Sequence, residues 1–129
     1  MSFRVQICDD EPHIVLAVSL KLSKAGLQVS TAADGLLAWK IMQQVRPQVV
    51  ITDLQMPRLD GLALVRRMRS HPDFRDVPVI LLTAKGFELD HEELKNDLDI
   101  AAVVCKPFSP RELLRTVQSL LGVPVAVED

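Results

Sequence analysis

The chain has 129 residues, room for one domain and little more. Fifteen Lys and Arg against 17 Asp and Glu leave a formal charge of −2, so there is no electrostatic footprint for gripping nucleic acid directly or an anionic membrane. With 48% apolar and 25% charged residues, and no apolar run of about 18 residues, the disordered and membrane-spanning classes are excluded as well.

The chain alternates between two kinds of segment. Phe3–Cys8 is a short apolar, β-branched run and reads as a strand, with Met1-Ser2-Phe3-Arg4 lacking the apolar stretch of a signal peptide. Behind it, Ile14, Val18 and Leu22 recur every four residues after Pro12, whose fixed φ suits a first helical turn; Gly26 closes the segment. A second strand is expected over Leu27–Ala32. In the second helix Ala38, Met42 and Val45 share a face with Leu37 and Ile41 beside it, up to Pro47.

Val49–Thr52 is the third strand. The third helix carries Leu62, Val65 and Met68 and stops at Ser70-His71-Pro72. Val77–Leu82 is the fourth strand, and the mostly charged stretch from Glu88 to Leu98 reads as a fourth helix through Leu94 and Leu98. Ala101–Cys105 is the fifth strand. Ser109-Pro110-Arg111-Glu112 is then a capping box, opening a fifth helix with Leu113, Val117, Leu120 and Leu121. Three of the strands, at Val49, Val79 and Ala101, are nearly continuous in apolar residues, as a parallel strand covered on both faces requires.

Five strand–helix pairs in strict alternation predict an α/β fold, a parallel sheet with helices on both faces. One domain is expected over 3–121. The unpatterned stretch 122–129 is a tail or the start of a linker.

In such a sheet ligands bind beyond the carboxyl ends of the strands. Those ends bring Asp9, Asp10, Asp53, Thr83 and Lys106 toward one edge. Two carboxylates about 4 Å apart repel by about 4 kcal/mol at an effective dielectric near 20, so such a cluster holds a proton or a cation. An all-oxygen site with few protein ligands suits Mg2+. Capping of the first helix accounts for one of the acids but not for a pair with a third opposite. Asp53, ending a buried strand beside a cation, is a usable nucleophile toward phosphorus, and an acyl phosphate is its product. Thr83 reads equally as an ordinary helix cap or strand residue and as a hydroxyl donor to a phosphoryl oxygen. Lys106, held between Val103-Val104-Cys105 and Pro107, offers a compact ammonium that offsets the acids.

These residues resemble the receiver domain of bacterial two-component response regulators. The likeness rests on Ile7-Cys8-Asp9-Asp10-Glu11-Pro12, Ala33-Asp34-Gly35, Asp53-Leu54-Gln55-Met56-Pro57 with Asp60-Gly61, Pro78 through Ala84, and Lys106-Pro107-Phe108. The resemblance implies a flavodoxin-like doubly wound five-stranded sheet, order 2-1-3-4-5, with five helices. It implies that Asp53 accepts a phosphoryl group from a sensor histidine kinase or a phosphotransfer protein. Asp10 would ligate Mg2+ directly and Asp9 mostly through water, with a carboxylate oxygen of Asp53 and the backbone carbonyl of Gln55 completing the protein ligands. Lys106 and Thr83 would contact the phosphoryl oxygens.

On this expectation the chain is a cytoplasmic regulatory domain, not an enzyme. It shifts the face formed by the fourth helix, fifth strand and fifth helix, and so controls a downstream effector protein or an attached output domain. A homodimer is compatible, since Arg111 and Arg115 either pair across a two-fold axis or face water.

Two features depart from the family pattern. Val103 stands where members usually carry Tyr or Phe, and Asp97-Leu98-Asp99-Ile100-Ala101-Ala102 replaces a small Gly-containing turn. Gln55 and Lys85 occupy positions where the family tunes the lifetime of its acyl phosphate. A phosphatase of the haloacid-dehalogenase type competes with this reading, but neither Asp53-Leu54-Gln55 nor Asp9-Asp10-Glu11 supplies its Asp-x-Asp. A phosphorylation-independent docking scaffold is a third reading, favoured by Val103. Trp39 reads as core packing and Cys8 and Cys105 as buried small hydrophobes. His13, His71 and His91 read as surface residues, and Arg66-Arg67-Arg69 as the solvated face of the third helix.

Overall fold

The computed structural model describes residues 2–84 and 93–124. Its elements run β1 (Arg4–Cys8), α1 (Pro12–Lys24), β2 (Gln28–Ala32), α2 (Gly35–Val45), β3 (Val49–Asp53), α3 (Gly61–Arg69), β4 (Val79–Ala84), a π-helical turn (Glu93–Asp97), β5 (Ala102–Lys106) and α4 (Pro110–Leu121). The predicted fifth helix is therefore α4. Of the predicted fourth, only the last residues are described, as the π-helical turn and the bend after it; Lys85 and His91 lie outside the described residues.

All five strands are parallel, in the order β2-β1-β3-β4-β5. This is the doubly wound, flavodoxin-like arrangement, whose strand order reverses beside β1 and β3. Two apolar layers sandwich the sheet. On one face Val5, Ile7, Val49, Ile51, Ile80 and Leu82 meet Val18 and Leu22 of α1 and Leu113, Leu114 and Val117 of α4. On the other, Val50, Val79 and Leu81 meet Ala38 and Met42 of α2 and Leu64, Val65 and Met68 of α3. Successive strand residues thus feed opposite cores, which is why β3 and β4 need apolar residues at consecutive positions. Each such side chain taken out of water contributes about 1.5–3 kcal/mol.

Three strand ends differ from the sequence expectation, all in one direction. β3 runs through Asp53, β4 through Ala84 and β5 through Lys106, because their backbones stay in the ladder: Asp53 pairs with Leu82, Thr83 with Cys105 and Ala84 with Lys106. At its start β4 loses Val77, whose N–H donates to Phe74 and whose carbonyl accepts from Arg69, tying it into the preceding turn.

β5 is also not covered on both faces. It is an edge strand in which Val103 and Cys105 are exposed, so Cys105 is not the buried small hydrophobe expected of it; Cys8 is. His71 is half-buried rather than on the surface, edge-on to Trp39 and tilted against Phe74 at ring-centroid separations of 5.6 and 5.0 Å.

Candidate functional site

The carboxyl ends of β1 and β3 lie where the strand order reverses, and the Lys106 side chain reaches them from the end of β5. Asp9 directly follows β1 and is buried; its N–H donates to Ala32, and its Oδ1 accepts from the Glu11 N–H at 2.9 Å. Asp10 is exposed beside it. Asp53 ends β3 with 7% of its surface exposed. One carboxylate oxygen from each of the three lies within 4.8 Å of the others.

What holds Asp53 in place is a backbone contact. Asp60 caps α3 by accepting from the Ala63 N–H at 2.8 Å, and the Gly61 N–H donates to Leu54 at 2.9 Å. These bonds draw the start of α3 onto the end of β3, where only glycine fits: a Cβ at Gly61 would stand 2.1 Å from the Asp53 carbonyl oxygen. Asp34, by contrast, is off the cluster. It caps α2 through the Leu37 N–H at 2.8 Å and lies 3.7 Å from Arg58 Nε.

Lys106 enters from β5, and its peptide bond to Pro107 is cis. Its ammonium lies 2.8 Å from Asp9 Oδ2 and 3.5 Å from Asp53 Oδ2, the first an ion pair rather than an aligned hydrogen bond. It donates a hydrogen bond to Glu11 Oε1 at 3.0 Å. Burial pushes this ammonium down, but the close contacts with Asp9 and Glu11 and the charge of Asp53 outweigh it, so the net direction is up. Asp53 shows the opposite balance. Burial, and then the charge of Asp9, push its carboxyl up to about 6 despite the nearby ammonium.

Asp10, Glu11, Asp53, Gln55, Ala84 and Lys106 line a cleft of about 260 Å³ above these groups. Thr83 is buried at the end of β4 but is not part of that lining, and its hydroxyl donates to the Ala84 carbonyl at 3.4 Å. Glu11 is a member of the cleft that no motif in the sequence singles out. The available signal was its place in the acidic run just before Pro12, but a contact with a residue so far along the chain has no local signature.

Comparison with known proteins shows the family. The family model for the response regulator receiver domain matches residues 5–118. A probable transcriptional regulator, ycf27, of Cyanophora paradoxa is 38% identical over 92% of this chain and 48% of its own length. The DNA-binding dual master transcriptional regulator RpaA of Synechocystis is 34% identical, also over 92% of this chain and 48% of its own. Among solved structures, a putative response regulator from Chloroflexus aurantiacus superposes with a TM-score of 0.84 at 30% identity, covering 95% of this chain and 99% of that one. The receiver domain of the sensor histidine kinase PA1611 from Pseudomonas aeruginosa, with a magnesium ion coordinated in its active-site cleft, superposes with a TM-score of 0.83 at 28% identity, covering 95% and 99%.

The chain belongs to the response regulator receiver domain family, the phosphorylation-controlled switch of two-component signalling. It spans about half the length of the curated relatives it matches. Among the described residues no helix is long and apolar enough to cross a membrane.

Proposed function

We propose that Asp53 is the phosphoacceptor of this chain and that its phosphorylation drives the switch. The observation that carries the reading is the position of Asp53 Oδ2, 3.5 Å from Lys106 Nζ and inside a cluster of three carboxylates. An oxygen of Asp53 attacks phosphorus while the bond from phosphorus to the donor's leaving group breaks. That group departs with the electron pair: an imidazole nitrogen if a histidine kinase or phosphotransfer protein is the donor, an acetate oxygen if acetyl phosphate is.

Three convergent carboxylates form a hard oxygen donor set, and that set fits Mg2+. Asp9, Asp10 and Asp53, with the Gln55 carbonyl, would hold the ion. When bound, it would supply positive charge that offsets the negative charge of the site. Lys106 supplies the second positive charge, from a side chain only 13% exposed. Thr83 donates to a phosphoryl oxygen once its hydroxyl turns away from Ala84.

The chain's own part is regulatory rather than the turnover of a substrate. The phosphoryl group adds about −1.5 to −2 charge, and the movement of Thr83 and Lys106 toward it biases β5, the segment before it and α4 toward a second arrangement. That face controls an effector protein or an attached output domain, with 3–121 as the receiver and 122–129 as tail or linker. The setting is the cytoplasm, with Cys8 and Cys105 as free thiols.

Incubation with acetyl phosphate and Mg2+, followed by intact mass measurement, tests the reading. A gain of one phosphoryl group that disappears in Asp53→Ala supports it. No adduct under any condition overturns it, and steady release of inorganic phosphate from a phosphomonoester would make the chain a phosphatase instead.

A further inference from the structure

Glu11 occupies the N-cap position of α1, yet its side chain caps nothing. Its carboxylate instead crosses the cleft, where Oε1 accepts from Lys106 Nζ at 3.0 Å and Oε2 lies 3.5 Å from His13 Nε2. Among the described residues Lys106 thus faces three acids, at 2.8 Å from Asp9, 3.0 Å from Glu11 and 3.5 Å from Asp53. An ammonium has three protons and no rigid fork, so it goes where the nearest charge is. Here its two shortest contacts are to acids other than the phosphoacceptor. Asp9 is fixed by burial and by the Glu11 N–H. The Glu11 side chain is 44% exposed and can turn into water.

We propose that Glu11 is a positioning residue that restrains Lys106 in the resting chain and must release it before the ammonium serves a phosphoryl group on Asp53. The proposal rests on the phosphoacceptor reading above. Two effects act in the same direction. Lys106 exchanges its hydrogen bond to Glu11 for contacts with the new oxygens, so an existing ion pair is lost. The Glu11 carboxylate also lines the cleft that receives the phosphoryl charge, so like charges are brought together unless Glu11 swings out. Glu11 therefore favours the unphosphorylated state.

The test compares the wild-type chain with Glu11→Gln and Glu11→Asp at saturating Mg2+. It measures affinity for beryllofluoride, the rate of phosphorylation by acetyl phosphate, and the Lys106 side-chain nitrogen resonance. Glu11→Gln is expected to bind beryllofluoride about five-fold more tightly and to take the phosphoryl group about five-fold faster, the scale of one part-exposed ion pair. Glu11→Asp keeps the charge but is one methylene too short to hold Lys106, and falls between the two. The Lys106 resonance should move in the resting Glu11→Gln chain and coincide with wild type once beryllofluoride is bound, which a merely structural role would not produce. Equal or weaker binding by Glu11→Gln overturns the proposal. If Glu11→Gln does not fold, Glu11→Asp decides in the same way. Wild type that takes neither beryllofluoride nor phosphoryl overturns the phosphoacceptor reading instead.

Discussion

Gly61 bears directly on the backbone of Asp53. A Cβ built at residue 61 would meet the Asp53 carbonyl oxygen at 2.1 Å, its carbonyl carbon at 3.0 Å and Leu54 Cα at 3.1 Å. All three are main-chain atoms that cannot rotate away. Helix α3 is therefore the brace that sets where Asp53 ends its strand.

Gly61→Ala should cost about 1–3 kcal/mol of stability through overpacking and should also weaken Mg2+ binding, because the strain is relieved by moving Asp53. Gly26→Ala is the matched control. Gly26 has φ of 89° with nothing within 4 Å of an added Cβ, so the cost there is backbone strain of about 1–2 kcal/mol without displacement of the site. Urea denaturation alongside Mg2+ titration separates the two. A Gly61→Ala chain with wild-type Mg2+ affinity would show that the site does not depend on this contact.

Asp53 makes stability fall as pH rises. Its carboxyl is held at about 6 in the folded chain against an ordinary 3.8, so between those values the folded state keeps a proton that the unfolded chain has lost. The contribution is fully present below about 4, declines through the window from 4 to 6, and is gone above it, a swing of about 2–3 kcal/mol at most. In the presence of chelator, Asp53→Asn should therefore be more stable than wild type at pH 7.5, with the difference vanishing near pH 4. Denaturation curves across that range check it. An Asp53→Asn chain no more stable than wild type at pH 7.5 would contradict the assigned burial and repulsion.

The proposed Mg2+ site distinguishes two aspartates. Asp10 contributes to the carboxylate cluster, while Asp34 is occupied in capping α2 and facing Arg58. Asp10→Ala should lower Mg2+ affinity at least about ten-fold, as loss of a ligand does. Asp34→Ala should leave affinity within about two-fold and cost about 1 kcal/mol of stability through the lost cap. Isothermal titration on both variants decides, and equal effects on affinity would put the ion elsewhere.

Much of this architecture is legible in the amino-acid order because each strand must satisfy two cores. Val49-Val50-Ile51 and Val79-Ile80-Leu81-Leu82 announce buried parallel strands, and the rule that ligands gather past strand ends brings Asp9, Asp53 and Lys106 to one edge. Apolar periodicity goes silent where a strand ends in polar residues, so Asp53, Thr83 and Lys106 read as following their strands although their backbones stay in the ladder. Cys105 and Val103 look like core by residue type, and only the sheet order reveals that β5 is an edge. The Glu11–Lys106 hydrogen bond is a tertiary fact with no local pattern.

Arg66, Arg67 and Arg69 show the same limit most sharply. Three arginines on one short helix look interchangeable as a solvated face, and Arg67 is indeed exposed. Arg69 is not part of that face. Its Nε donates to Leu98 at 2.7 Å, Nη1 to the carbonyls of Phe74, Arg75 and Val77, and Nη2 to Asp99 at 3.3 Å, so one guanidinium ties the end of α3 to the turn before β4 and to the segment before β5. Burial lowers its pKa from the ordinary arginine value, outweighing the charges of Asp99 and Asp76. A lysine cannot reproduce a planar fork reaching carbonyls on two sides. Arg69→Lys should cost about 1–2 kcal/mol and Arg69→Ala about 2–4, since part-buried carbonyls lose a charged donor, whereas Arg67→Ala should stay within about 0.5. Hydrogen exchange supplies the mechanism-specific readout: the amides of Ile100 and Ala101, which donate to Leu94 and Val79, should exchange faster in Arg69→Lys and unchanged in Arg67→Ala. Equal exchange and equal stability in the two variants would mean that Arg69 does not hold the approach to β5.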